Sequence, residues 1–392
     1  MHLLRPVTPV LLAVLSACSA QSTAEEAARE AREGTAPPAV QAAAAAPVSP
    51  PAAVPANAAV AAVPLVEAAP VLGPQPVRAW GTGPDAAQAA EPASPPAPVA
   101  AAGQDANDPA ILTGKSGVLR AQVLLLRAHY SSGEIDALAG RNLAKAVRGF
   151  QKAHGIEPSG KLDAATWALL NKDAAPVLVE YTLTAGDVAG PYAPTPEQPA
   201  DKAKMARLVY EDIGEMLGER FNSKPALIRA LNPEAEMVAG TRLVVPYTRP
   251  AEQLPKAASL VVDKSDGVLQ LLDADDRVYA QFPASTGSSR FPLPIGDWKI
   301  TTVVRDPDYR YDPDLLVNQP KGAKPAMLPP GPNGPVGLVW MGIDKKHYGI
   351  HGTPEPADIS REQSSGCVRL TNFAAQAVAS AVAVGTPVHF RE

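Results

Sequence analysis

Apolar residues recur at helical spacing in one part of this chain and at strand spacing in another, and a long stretch ahead of both shows neither period. Within residues 110–173, Leu119, Val123 and Leu126 form one helical stripe, and Ala144, Val147 and Phe150 form a second. Residues 162–170 predict a third short helix bearing Trp167, entered through the turn Pro158-Ser159-Gly160. Three such helices can enclose a small core. Residues 178–250 read as a strand near Tyr181, helices around Leu217 and Leu227, and a strand ending near Val245, which makes a small α+β unit. Residues 255–392 change period again. Short apolar runs at 259–262, 268–272, 278–282, 298–304, 336–341 and 387–390 predict strands, separated by turns such as Ser265-Asp266-Gly267 and Gly331-Pro332-Asn333-Gly334. One alanine-rich helix is predicted at 372–384, closed by Gly385. The fold class is multidomain, ending in a mainly β domain.

The stretch ahead of these units is compositionally different. Many of the chain's 43 prolines fall in residues 18–109, which are rich in Ala and Pro and poor in large apolar side chains. Such a segment cannot build a core and reads as a disordered linker, apart from a helix-capable run at 23–33. As a coil it would span roughly 50–60 Å. It serves either as a tether or as a spacer with no length requirement. Before it, Arg5 and the apolar run 7–15 fit a signal peptide at 1–17, the run being too short to cross a bilayer. Leu15-Ser16-Ala17-Cys18 resembles the signal box of bacterial lipoproteins. The resemblance implies lipidation of Cys18 and a membrane anchor. Ser19, which is not Asp, points by the Gram-negative sorting rule to the periplasmic face of the outer membrane.

Charge narrows the partners. Lys and Arg total 35 against 40 Asp and Glu, a net of −5, with no basic patch for nucleic acid. No phosphate-cradling glycine loop, zinc-ligand spacing or cofactor motif is present, and no metal is expected. The Asp-rich stretches 273–276 and 306–314 lack the spacing of a calcium loop and read as solvated turns.

The chemistry concentrates in residues 347–372. Cys367 is the only cysteine besides Cys18, and His351 lies 16 positions before it (367 − 351). That spacing allows a strand, a loop and a return to the same edge, where an imidazole could turn the thiol into a nucleophilic thiolate. Gly366 allows close backbone approach, and the N–H groups around Cys367 could hold an oxyanion. Arg369 could grip a carboxylate. His347 reads as an exposed strand-end histidine rather than a second base. A buried, inert Cys367 is the bland alternative.

Ile350-His351-Gly352-Thr353 and Ser364-Ser365-Gly366-Cys367-Val368-Arg369 together resemble the active site of the YkuD-type L,D-transpeptidases, which cross-link bacterial peptidoglycan. Ser365 stands where many members have a second histidine. Ser285-Thr286-Gly287, residues 294–300 and residues 329–337 resemble further segments of that family. The resemblance covers nearly all of residues 255–392 and implies a β-sandwich with one late helix. It also implies Cys367 as nucleophile, His351 as general acid/base, the Gly352 carbonyl as its orienter and the Gly366 N–H as an oxyanion donor. Arg369, Tyr348 and Ser365 would contact the stem-peptide donor, and no cofactor is needed. Residues 110–173 resemble the peptidoglycan-binding type 1 module through Gln122, Asp136, Gly140, Phe150, Gln151, Gly160, Thr166 and Trp167, departing at Ala137 and Leu143. Residues 178–250 resemble a divergent LysM module with an insertion after Gly186-Asp187. The expected activity is transfer of a stem peptide onto an amine, giving 3-3 cross-links or wall-attached protein. An amidase that releases wall-bound lipoprotein, and a non-catalytic tether from outer membrane to wall, remain as alternatives.

Overall fold

A computed structural model of the chain describes residues 104–392, except 249–253, 289–290, 316–323, 362–363 and 365. The signal peptide, Cys18, linker residues 18–103 and Ser365 lie outside the described residues, whereas residues 104–109, expected as linker, form a turn (Gln104–Asn107) with Ala106 buried and Asn107 Oδ1 accepting the Val177 and Leu178 N–H groups.

The first module is built from α1 (Gly114–Arg127), α2 (Arg141–Ala153) and α3 (Ala164–Leu170). On α1 the expected stripe is buried, joined by Leu124 and Leu125. On α2 the buried face is Leu143, Ala146, Val147 and Phe150, so the stripe is turned from the expected one and Ala144 is only half-buried. Helix α3 starts at Ala164, not Leu162, because Asp163 caps it by accepting the Thr166 N–H at 2.9 Å. Two glutamines organise the loops. Gln122 Oε1 accepts the N–H groups of Asp136 and Ala137, and Gln151 accepts from Gly160 and donates to Thr166. Ala137, at φ 57°, takes the left-handed conformation in which glycine would be unstrained.

The second module pairs β1 (Leu178–Thr182) antiparallel with a later strand and places short helices between them. These are α4 (Ala185–Ala189), α5 (Pro199–Lys202), α6 (Ile213–Arg220) and α7 (Pro225–Leu231), followed by the closing strand β2 (Arg242–Pro246). Thr184 and Asp187 form a capping box on α4, and Asp212 caps α6. Leu183, Met216, Leu217, Ile228, Leu243 and Val245 share its core.

The third module contains β3 (Ser259–Asp263), β4 (Val268–Leu272), β5 (Val278–Pro283), β6 (Gly296–Arg305), β7 (Tyr309–Tyr311), β8 (Ala326–Leu328), β9 (Val339–Ile343), β10 (Gly349–His351), β11 (Val368–Arg369), helix α8 (Asn372–Ala381) and β12 (Pro387–Arg391). Eight of its strands form one sheet in the order β11-β10-β9-β6-β12-β3-β4-β5, while β7 and β8 form a separate hairpin. The expected sandwich is thus one curled sheet. Its hinge is β6, which pairs β12 through its first residues and β9 through its later ones, with a register shift between Ile300 and Thr302. Side chains from both ends of the sheet and from α8 meet in one core that includes Leu260, Leu269, Phe282, Met341, Ile350, Val378 and Phe390. Burying a side chain of that size contributes roughly 1.5–3 kcal/mol.

Two boundaries differ from expectation. The strand expected from 336 begins at Val339, because Gly334–Gly337 close a turn with Gly337 at φ 59°. Helix α8 ends at Ala381 rather than at 384. Val382 turns extended, and Gly385 then reaches the Ile300 carbonyl at 2.8 Å.

The modules touch through specific bonds. Residues 129–131 run along the outer edge of β5, where Gln281 donates to the His129 carbonyl and accepts from Ser131. Gln281 Nε2 also donates to the Lys145 carbonyl. In the second module, the insertion after Gly186-Asp187 carries Leu208 against Tyr311 and Leu328 of the β7–β8 hairpin. Leu208 N–H donates to the Pro330 carbonyl at 2.9 Å, and Arg207 pairs with Asp306 through both nitrogens.

Candidate active site

Strands β10 and β11 run parallel, with Ile350 opposite Val368 and His351 opposite Arg369. The chain therefore leaves β10 after His351, loops outward, and returns along the same edge, delivering Cys367 just before β11. The return is pinned on its other side. Ser364 N–H donates to the Thr286 carbonyl, and Arg369 and Ser285 exchange backbone hydrogen bonds at 2.8 and 3.0 Å.

His351 is buried and fixed twice. Its Nδ1 lies 2.6 Å from the Gly352 carbonyl, and its ring stacks on Trp340. A carbonyl only accepts, so Nδ1 carries the proton and Nε2 is left as the acceptor. Burial pushes the imidazole pKa down to about 4, and the Arg369 charge acts in the same direction. The ring is a neutral base across the physiological range.

Cys367 keeps part of its surface open, but the protein packed around its sulfur raises the thiol pKa to about 11. The Gly349 backbone N–H opposes that rise, and the thiol faces the His347 carbonyl at 3.7 Å. The resting groups are thus a neutral thiol and a neutral imidazole, not the thiolate that the residue types suggested. Desolvation outweighs the one opposing contact, the Gly349 N–H.

Gly366 sits at φ 107°, and a β-carbon there would lie 2.7 Å from the Tyr348 ring. Tyr348 therefore lines the turn that carries the sulfur. The Gly366 N–H donates to Ser364 Oγ at 3.2 Å. Ser364 Oγ in turn donates to the Cys367 carbonyl, stapling the turn from both sides. Arg369 lies half-buried with its backbone locked to Ser285. His347 is exposed and contributes its carbonyl rather than its ring.

Several participants were not singled out by sequence reasoning. Trp340 lies in an ordinary-looking strand. Ser364 belongs to the quoted motif but carried no role. Tyr309, brought by the β7–β8 hairpin, is near enough that charge on Cys367 adds to the burial pushing its phenol to about 12. Asn372 read only as a helix start. It accepts the Leu338 N–H at 3.0 Å and packs against Gly352. Among the described residues, no group of three or more His, Cys, Asp or Glu could hold a metal ion.

Residues 257–390 match the model of a family, YkuD, described as "L,D-transpeptidase catalytic domain", and residues 114–170 match one described as "Putative peptidoglycan binding domain". A Bacillus licheniformis protein named "Putative L,D-transpeptidase YkuD" is 28% identical over 181 residues, spanning 45% of this chain and 92% of that protein. A Bacillus subtilis (strain 168) protein of the same name is 29% identical over 168 residues, spanning 42% of this chain and 85% of the relative. Among solved structures, an L,D-transpeptidase from Xylanimonas cellulosilytica aligns at 18% identity with a TM-score of 0.33, covering 70% of this chain and 92% of that one.

Proposed function

We propose that this chain, an L,D-transpeptidase by its catalytic domain, acts on peptidoglycan stem peptides through a thioester on Cys367. The observation that carries the reading is the placement of a neutral, tautomer-fixed His351 on β10 beside the strand that delivers Cys367. As Sγ attacks the diamino-acid carbonyl of a stem tetrapeptide, His351 Nε2 takes the thiol proton. The tetrahedral oxyanion faces the Cys367 N–H, a donor of a kind worth on the order of 3 kcal/mol in a transition state. Collapse breaks the bond to the terminal D-Ala, whose amine leaves with the proton from His351. An acceptor amine then attacks the thioester, gives a proton to His351, and expels the sulfur, which regains that proton. A stem amine as acceptor yields a 3-3 cross-link, and a lysine side chain attaches a protein to the wall. Arg369, Tyr348 and Ser365 bind the donor, and Gly352 orients the base.

Around this centre we place the first module as a wall-binding unit, supported by its match over 114–170. The second module is read as LysM-like on the strength of its two antiparallel strands and intervening helices. Cys18 is read as a lipid anchor holding the protein to the periplasmic face of an outer membrane. The test is mass spectrometry of the protein incubated with disaccharide tetrapeptide, beside Cys367→Ala. An acyl adduct with loss of D-Ala in wild type and neither in the variant is expected. Untouched tetrapeptide would sink the reading.

A further inference from the structure

Asn372 is 1% exposed and sits at the tightest packing near the site. Its Oδ1 accepts the Leu338 N–H and stands 1.9 and 2.2 Å from where β-carbons on Gly337 and Gly352 would lie. The side chain thus joins two backbone segments, one of which carries the Gly352 carbonyl that fixes His351. An amide is nearly symmetric in shape, so its neighbours decide which end points where. On the far side, Asn372 Nδ2 donates to the Pro332 carbonyl at 3.2 Å and to both carboxyl oxygens of Glu219 at 2.8 and 3.0 Å.

Glu219 belongs to α6 of the second module, 153 positions earlier in the chain. Nothing in the catalytic domain requires a carboxyl there. It meets Asn372 because the second module docks through Leu208 and Arg207 as well. Tyr210 also hydrogen-bonds the Glu219 carboxyl, which limits its freedom to turn away. With the Glu219 carboxyl and the Pro332 carbonyl at the NH2 end, the opposite amide orientation would lose the Leu338 N–H bond and turn an NH2 group toward that N–H and the glycines.

We propose that Glu219 is a positioning residue for the transferase site: by fixing the Asn372 amide, the second module sets the Gly352 carbonyl and so the direction of His351. The inference rests on His351 being the base. It makes the second module part of the reacting geometry, not only a neighbour of it.

The test uses the full chain with Glu219→Leu, Glu219→Asp, Asn372→Ala and Glu219→Leu/Asn372→Ala. The readouts are single-turnover acylation of Cys367 by disaccharide tetrapeptide and the His351 Nδ1–H resonance in 15N-labelled protein. Glu219→Leu is expected to slow acylation about tenfold at saturating donor, with KM little changed and the resonance shifted. Asn372→Ala should cost a similar factor, and the double variant no more than the worse single one. If Glu219→Leu does not fold, Glu219→Asp, which withdraws the carboxyl by one methylene, replaces it with the same expectation. Wild-type acylation in a folded variant overturns the proposal. So does a slower rate with raised KM and an unmoved resonance, which would make Glu219 a docking residue only. His351→Ala separates the two layers: acylation at wild-type rate there removes the base itself, whereas an inactive His351→Ala beside a fully active Glu219→Leu removes only the positioning role.

Discussion

The imidazole of His351 lies stacked on the indole of Trp340, with ring centroids 5.6 Å apart and planes 23° apart. One ring edge is held by the Gly352 carbonyl and one face by the indole, so Nε2 has a single direction open to it. Trp340→Leu keeps apolar bulk but removes the flat face. Stacked aromatic pairs contribute about 0.5–1.5 kcal/mol beyond area burial, which corresponds to a roughly two- to thirteenfold slower acylation of Cys367. Trp340→Phe should retain most of the rate. An unchanged rate in Trp340→Leu would mean that the carbonyl alone holds the ring.

The thiol of Cys367 is raised to about 11 by burial. Alkylation by a small neutral reagent should therefore be slow at pH 7 and keep accelerating past about pH 10, where an ordinary cysteine, with its midpoint near 8.5, has levelled off. Because the resting pair is uncharged, His351→Ala should leave that profile nearly unmoved while abolishing acylation by tetrapeptide. A labelling plateau below pH 8 would instead demonstrate a resting thiolate.

Three carboxyls crowd the junction of the modules. Burial pushes Glu219 up to about 8, with the charges of Glu215 on its own helix and Glu134 of the first module adding to the rise, while Asn372 and Tyr210 oppose it. Glu134 is raised to about 7, again chiefly by burial, against Lys224 and Arg361 and alongside Asp136 and Asp358. Between the ordinary carboxyl value near 4.5 and about 8, the folded chain holds protons that the unfolded chain has released. Stability therefore falls as pH rises through that window, by on the order of a few kcal/mol for Glu219. Calorimetry should show a lower Tm at pH 8.5 than at pH 5, with a smaller difference in Glu219→Gln. Equal slopes in the two proteins would clear Glu219 of the effect.

Gly366→Ala combines two penalties. At φ 107° a side chain is strained by about 1–3 kcal/mol, and its β-carbon would meet the Tyr348 ring. The turn carrying Cys367 must shift, so acylation should drop more than tenfold and Tm by several degrees. Adding Tyr348→Ala removes the collision but not the strain and should restore only part of the loss of stability. Full restoration would show that the backbone tolerates alanine there.

The two halves of the site were legible because their residue types are chemically unusual and their spacing suits a return to one strand edge. Ile350 and Val368 do pair across that edge. What the spacing could not convey is burial. It reverses the expected thiol pKa, and near the site it brings Trp340 against His351 and Tyr309 from a hairpin whose strands are three residues each. The curled sheet was hidden for a related reason. One strand, β6, serves two partners, and alternation along a strand does not reveal its neighbours. Asn372 and Glu219 were illegible individually, since one reads as a helix start and the other as a surface helix residue. Their contact belongs to a tertiary interface in which the segment around Leu208 also docks on the loop at Pro330. On α2 the helical period was right, but the choice of Ala144 over Leu143 turned the buried face toward the wrong side.

Strand β5 ends the eight-stranded sheet, and residues 129–131 lie along its free side with Gln281 bonded to both His129 and Ser131. A bare strand edge is a template for a second chain. Cut free at residue 255, the last module would expose β5 to copies of itself, and its fragments would tend to polymerise through growing sheets. The helical module is therefore also a stopper, covering the open edge of a sheet-forming domain.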